Sequence, residues 1–74
     1  MRVKINLDTM TDINDFVKLM TGYGGSVFLT DKDRHFIVSA KSMLGAIYSM
    51  EWGEIWCESE DDIYHLLSRF ISQE

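Results

Sequence analysis

The chain has 74 residues, 46% of them apolar and 12% aromatic, which is enough for one compact domain and excludes a disordered segment. Twelve acidic and seven basic residues give a net charge of −5, and this field argues against nucleic-acid binding because it repels a phosphate backbone. No apolar run approaches the roughly 20 residues of a membrane-spanning helix, no signal peptide is recognisable, and the single cysteine cannot form an internal disulfide, so we expect one cytoplasmic domain, residues 1–74.

The first two predicted elements are a strand and a helix. Apolar and polar side chains alternate over residues 2–7, the period of a strand with one buried face. An apolar stripe at i, i+3, i+4 and i+7 then predicts an amphipathic helix. Thr9, Thr11 or Asp12 is positioned to cap its amino end, and Gly22 ends it. The residues of the stripe are Ile13, Phe16, Val17 and Met20.

The remaining segments predict a hairpin, a short helix, a strand and a third helix. Residues 26–30 and 35–40 are rich in β-forming side chains and are joined by the polar segment 31–34. Ser42 is positioned to cap a short second helix, and Gly53 precedes an alternating strand over residues 54–58. Residues 59–62 are typical of a capping box for a last amphipathic helix. The apolar stripe of that helix is Ile63, Leu66, Leu67 and Phe70.

The order β-α-β-β-α-β-α predicts an α+β fold, a two-layer open-faced sandwich with an antiparallel sheet and its helices on one face. Two segments carry a more specific likeness. Residues 40–50, which include Lys41-Ser42-Met43-Leu44-Gly45, resemble the regulatory-serine segment of the HPr family, the histidine phosphocarriers of bacterial sugar phosphotransferase systems, and Gly53-Glu54-Ile55 also fits that family. The resemblance covers the whole chain and implies a four-stranded sheet in the order 1-4-2-3 with three helices on one side.

The phosphoacceptor motif of the HPr family is absent from this sequence. In the family a histidine and an arginine stand in a Gly-x-His-x-Arg-Pro motif at the start of the first helix, and alignment on the resemblance puts Thr9 and Thr11 at these two places. Asp8, Asp12 and Asp15 crowd the same helix end and would repel a phosphoryl group. These acids are interpreted as partners of the helix dipole, with a cation site as the alternative. We therefore expect no phosphocarrier activity.

The role of Ser42 has two interpretations. By resemblance it matches the serine that HPr kinase phosphorylates in Gram-positive members, and Met43, Leu44 and Ile47 match the apolar surface that HPr presents to its partners. From the residues alone Ser42 is a helix N-cap, and Leu44 and Ile47 are core residues. The sequence is compatible with both interpretations.

The other reactive side chains give no catalytic or metal-binding pattern. His35 and His65 fall on a predicted strand and a predicted helix, away from any glycine-rich or arginine-bearing anion site. Together with Cys57 they lack the close spacing that a metal site requires. We expect no catalytic residue, no metal and no cofactor.

The outer face of the predicted sheet carries three large apolar side chains. If Val27, Leu29, Phe36, Val38, Ile55 and Cys57 face the helices, alternation places Phe28, Ile37 and Trp56 on the open face. Such a patch predicts a surface for a protein partner or for a homodimer, with isolated exposed aromatics as the alternative.

Three functions are compatible with these patterns. The first is an HPr-like protein without the phosphoacceptor histidine that acts as a non-catalytic, protein-binding or regulatory module, with phosphotransferase-system or regulatory proteins as partners. The second is a working accessory of the phosphotransferase system that is controlled through Ser42 alone. The third, a small enzyme or metal-binding domain, lacks a nucleophile with a base or a ligand cluster.

Overall fold

The computed structural model describes residues 1–72. Its first strand, β1, is followed by a twelve-residue helix, α1, and then by two short strands, β2 and β3. A seven-residue helix, α2, leads to the last strand, β4, and a 3-10 turn follows. The elements are β1 Arg2–Ile5, α1 Met10–Thr21, β2 Val27–Thr30, β3 Ile37–Ser39, α2 Met43–Ser49, β4 Ile55–Ser59 and the 3-10 helix Tyr64–Leu67.

The four strands form one antiparallel sheet in the order β1-β4-β2-β3, which confirms the predicted order. The register places Ile5 opposite Ile55 and Leu29 opposite Cys57, so that these four side chains share one face. They are buried together with the apolar stripe of α1. The buried face of the sheet and the two α-helices therefore enclose one hydrophobic core, and the opposite face of the sheet is left open.

The third predicted helix is wrong: the segment forms a single 3-10 turn. Ser59 does not cap it, because Ser59 is the last residue of β4, where its N–H donates to the carbonyl of Met1. The chain then returns to the sheet, since Asn6 N–H donates to the carbonyl of Phe70 at 2.7 Å and Ile71 bridges to Ile5. Residues 70 and 72 pair with β1 through backbone groups that a longer helix would need for its own hydrogen bonds. The apolar stripe is nevertheless mostly buried, at Ile63, Leu67 and Phe70.

Two hydrogen bonds accepted by Asp31 close the β2–β3 loop. Asp31 accepts the N–H of Phe36 at 2.9 Å with a side-chain oxygen, and the N–H of Arg34 donates to the carbonyl of Asp31 at 3.2 Å. Arg34 adopts φ 62°, a left-handed conformation that a tight turn requires. The predicted hairpin is confirmed, with β3 shorter than the β-rich run of residues 35–40.

Candidate functional site

Ser42 begins α2 as the sequence predicts. Its side-chain oxygen accepts the N–H of Gly45 at 3.1 Å, the geometry of a helix N-cap. The neighbouring Lys41 donates from Nζ to the carbonyl of Tyr23 at 2.6 Å, which ties the start of α2 to the end of α1. Ser42 is half-buried, so part of its side chain remains at the surface.

Gly45 explains how closely α2 lies on the sheet. A Cβ at this position would be 3.0 Å from Cβ of Val38 and 3.2 Å from its Cγ2. A larger residue would force Val38 or α2 to shift by a few tenths of an ångström, because these distances are shorter than ordinary contacts. The close approach orients the rest of α2, which buries Ala46 and Ser49.

The residues around Ser42 form an apolar surface on α2. Leu44 is 79% exposed and Met43 is 36% exposed, while Ile47 is half-buried and packs against the core. The reading of Leu44 as a core residue is therefore wrong, since α2 turns this side chain to solvent. We call Ser42, Met43, Leu44 and Ile47 the α2 surface.

Substitutions of Ser42 test whether its side chain stabilises α2 as a cap. Ser42→Ala removes the acceptor of the Gly45 N–H and should lower the free energy of unfolding by about 1 kcal/mol. Ser42→Asp should cost little, because aspartate also caps and its charge suits the helix dipole. Urea denaturation of both variants measures the difference. Equal destabilisation by alanine and aspartate would contradict the capping role.

The amino end of α1 is occupied by the chain's own side chains. Thr9 is its N-cap and accepts the N–H of Asp12 at 3.1 Å, while Asp12 accepts the N–H groups of Thr9 and Asp8 at 3.2 and 3.1 Å. Arg69 reaches across and donates to Asp12 at 2.8 Å and to Asp15 at 2.7 Å. Thr11 is exposed in the first turn.

Arg69 is a residue that sequence reasoning missed. It lies 54 positions from Asp15, and no local pattern joins the two segments. The pair of ion pairs gives Asp12 and Asp15 a cationic partner from within the chain. The acids interpreted as dipole partners thus also hold the last segment of the chain against α1.

The three open-face residues differ in their surroundings. Phe28 and Ile37 are 44% and 54% exposed, as predicted, whereas Trp56 is half-buried beneath the guanidinium of Arg2, 4.4 Å from the ring centroid. Glu58 lies between them on the open face, where its carboxylate accepts a hydrogen bond from Arg2 Nε at 2.8 Å. The apolar patch is therefore interrupted by an ion pair that alternation alone did not reveal.

A cluster of three aromatic rings at the end of α2 was also missed. Phe36 is stacked on Trp52 with centroids 6.1 Å apart, and Tyr48 meets both rings edge-on at 6.0 and 5.8 Å. Phe36 faces α2, as alternation predicts, but it is 48% exposed because it lies at the rim of the sheet. The cluster extends the apolar character of α2 to the edge of the sheet.

The single cysteine is buried and unreactive in character. Burial, followed by the nearby charge of Glu58, raises the pKa of the Cys57 thiol to about 12. The thiolate, which is the nucleophilic and metal-binding form, is thus suppressed at neutral pH. Within residues 1–72 the structure shows no group of three potential metal ligands.

His35 lies beside Asp31, with Nδ1 3.9 Å from its carboxylate, and His65 lies in the 3-10 turn. In the described part of the chain no helix is long and apolar enough to cross a membrane.

Comparison with known proteins returned no relative. No family model matches the chain, and neither a curated protein nor a solved structure does.

Proposed function

We propose that this chain is an HPr-like, non-catalytic module that binds a protein partner through the α2 surface. The observation that carries the proposal is the exposure of Leu44 and Met43 on a helix whose start is capped by Ser42. A group of exposed apolar side chains, rather than a single one, is typical of an interaction site. The likeness of residues 40–50 to the HPr family supports phosphotransferase-system or regulatory proteins as the partners.

The amino end of α1 supports the non-catalytic part of the proposal. A phosphocarrier needs free amides and a cation at this place to hold a phosphoryl group. Here the side chains of Thr9 and Asp12 already accept three of the N–H groups at this end, those of Asp8, Thr9 and Asp12, and Arg69 is paired with two carboxylates. A phosphoryl group at Thr9 would also be an ordinary ester, without the transfer potential of a phosphohistidine.

Phosphoryl transfer gives the first test. Incubation with enzyme I and phosphoenolpyruvate should place no acid-labile phosphate on this protein, whereas an ordinary HPr in the same assay becomes labelled. Thr9→His combined with Thr11→Arg should remain far below HPr, because Asp8, Asp12 and Asp15 stay in place and their negative charges outnumber the one positive charge of Arg69. Label on His35 or His65, or full transfer by the double variant, would contradict this proposal.

Partner binding gives the second test. Titration with enzyme I and with HPr kinase should show binding by the wild type, and Met43→Lys should raise the dissociation constant at least about tenfold by placing a charge in the apolar surface. Tyr64→Lys is the matched control, since Tyr64 is 52% exposed and lies beyond β1 on the 3-10 turn. No binding to either protein would remove the phosphotransferase system from the proposal.

A regulated docking surface is the second candidate function, and the partial exposure of Ser42 favours it. A phosphate on this side chain would stand next to the apolar surface and add about two negative charges to it. Incubation with HPr kinase and ATP tests this role directly. A mass increase of one phosphate that Ser42→Ala abolishes supports it, and no increase removes it.

A further inference from the structure

The β3 strand forms an edge of the sheet, and Ile37 presents its backbone to the outside. The carbonyl of Phe36 accepts the N–H of Asp31, and the N–H of Ala40 donates to the carbonyl of Val27, so residues 36, 38 and 40 point their backbone groups toward β2. By alternation the N–H and C=O of Ile37 point away from the sheet. The strand thus offers one donor and one acceptor, side by side, at its first residue, Ile37.

This edge is short, at three residues, but it lacks the other usual forms of protection against pairing. Natural edge strands commonly carry lysine, proline or a bulge that keeps other strands away. Residues 36–40 contain neither charge nor proline, and the flanking Lys41 donates its Nζ inward to Tyr23. An unguarded edge of this kind is suited to pairing with another strand.

Large apolar side chains gather along the same edge. Leu44 and Tyr48 lie one turn apart on α2, and Phe36 and Ile37 lie on the two sides of the strand. Their exposed fractions are 79%, 45%, 48% and 54%. Four of the nine exposed large hydrophobic residues in the described chain thus share one edge. We call Phe36, Ile37, Leu44 and Tyr48 the β3 edge surface.

We propose that the β3 edge surface binds a second copy of this chain, with the two β3 strands antiparallel about a two-fold axis at Ile37. In this arrangement the N–H of each Ile37 donates to the C=O of Ile37 of the partner subunit, which is the reciprocal pair that an antiparallel ladder requires. The sheet then continues through both copies as eight strands. Leu44 belongs to both the β3 edge surface and the α2 surface, so this dimer would cover part of the surface proposed for the other partner. Met43, the residue that tests that partner, lies outside the β3 edge surface.

The position of α2 fits this pairing. The helix contacts both β2 and β3, so its axis lies over the pair of strands rather than beyond the edge. Paired strands are about 4.8 Å apart, and this offset places the two α2 helices at roughly 10 Å, the distance of packed helices. Leu44 and Tyr48 of each copy would then fill the space between the helices.

Charge and size favour a second copy over other occupants. Between Phe36 and Met50 the only charged residue is Lys41, so a strongly charged peptide would find no complementary charge there. Two copies of a chain with net charge −5 approach with least repulsion through such a neutral face. A standard interface takes about 800 Å² from each partner, which is under a fifth of the 4471 Å² of this chain.

Sedimentation velocity from about 1 μM to about 1 mM tests the proposal. The wild type should reach twice its mass of 8.6 kDa, and Ile37→Lys and Tyr48→Lys should each raise the dimer dissociation constant roughly 100-fold, because every substitution occurs twice at a symmetric interface. Circular dichroism verifies that each variant is folded. Tyr64→Lys, at the opposite side of the sheet, should dimerise like the wild type.

Hydrogen exchange supplies a readout that needs no variant. The Ile37 amide should become protected as the concentration rises through the dimer range, while the exposed amide of Lys32 should not. A protein that is monomeric at about 1 mM overturns the proposal and leaves the edge to another polypeptide. A dimer that survives both lysine variants, or that is lost in Phe28→Lys on the open face, overturns it as well.

Discussion

Phe16→Ala should leave this protein only marginally stable at room temperature. The Phe16 side chain is fully buried and meets Phe70 edge to face, with ring centroids 5.4 Å apart. Truncating a buried phenylalanine costs about 3–5 kcal/mol, and a chain of this length has a total stability on the order of 5 kcal/mol. The contact joins α1 to the last segment of the chain, so its loss also loosens the return of that segment to β1.

Urea denaturation followed by circular dichroism measures this effect. Phe16→Leu should cost about 1.5 kcal/mol or less, because it keeps most of the apolar volume. Leu19→Ala, on the same helix but 37% exposed, is the control for helix propensity and should change the free energy of unfolding by about 0.5 kcal/mol. A cost for Phe16→Ala no larger than that of the control would show that α1 packs in another orientation.

The stability of the protein should fall steeply above pH 9 because of Cys57. The thiol releases its proton near its ordinary pKa of 9 in the unfolded chain, whereas burial raises the pKa to about 12 in the folded protein. The free energy of unfolding is therefore not reduced by this thiol below pH 9, and it falls as the pH rises from 9 towards 12. Three pKa units correspond to about 4 kcal/mol, which is comparable to the whole stability of a chain this small.

Cys57→Ala isolates this contribution from the other groups that titrate in base. The variant should be less stable than the wild type at pH 7 by about 1 kcal/mol, since it loses a small buried side chain, and the difference should shrink or reverse by pH 11. Tyr23, whose pKa is raised by its hydrogen bond to Asp61, remains in both proteins and acts in the same direction. Parallel stability curves between pH 8 and 11 would contradict the prediction.

Local patterns predicted the elements whose signals lie within the element itself. The stripe of α1, the Ser42 cap and the alternation in β2 and β4 appear in the structure as expected. The third helix failed because its capping box begins with Ser59, and a long-range strand pairing with Val27 took that residue. A local helix-capping pattern is overridden when the same residue is paired in a strand such as β4, which has a neighbour on both sides.

The candidate site shows the same limit. The cap of α2 follows from residues a few places apart, and so does the absence of histidine at the start of α1. The exposure of Leu44 followed only from the resemblance, since the residues alone favoured a core position. Arg2 over Trp56 and Arg69 on Asp15 join segments more than 50 residues apart, and each covers a surface that looked free in the sequence. The aromatic cluster likewise required the distance between Phe36 and Tyr48, which only the fold supplies.

The place of β4 in the sheet has a consequence for the folding of the protein. This strand is the last of the four in the chain, yet it lies between β1 and β2. Until residues 55–59 are inserted, β1 therefore has no neighbour in the sheet, and the β2–β3 hairpin is the only pair of strands that can close. Such distant pairings make folding slow relative to local structure. A partly folded chain thus exposes its β3 edge before the core exists, and in this state it is most open to contact with a folding helper or with another unfolded chain.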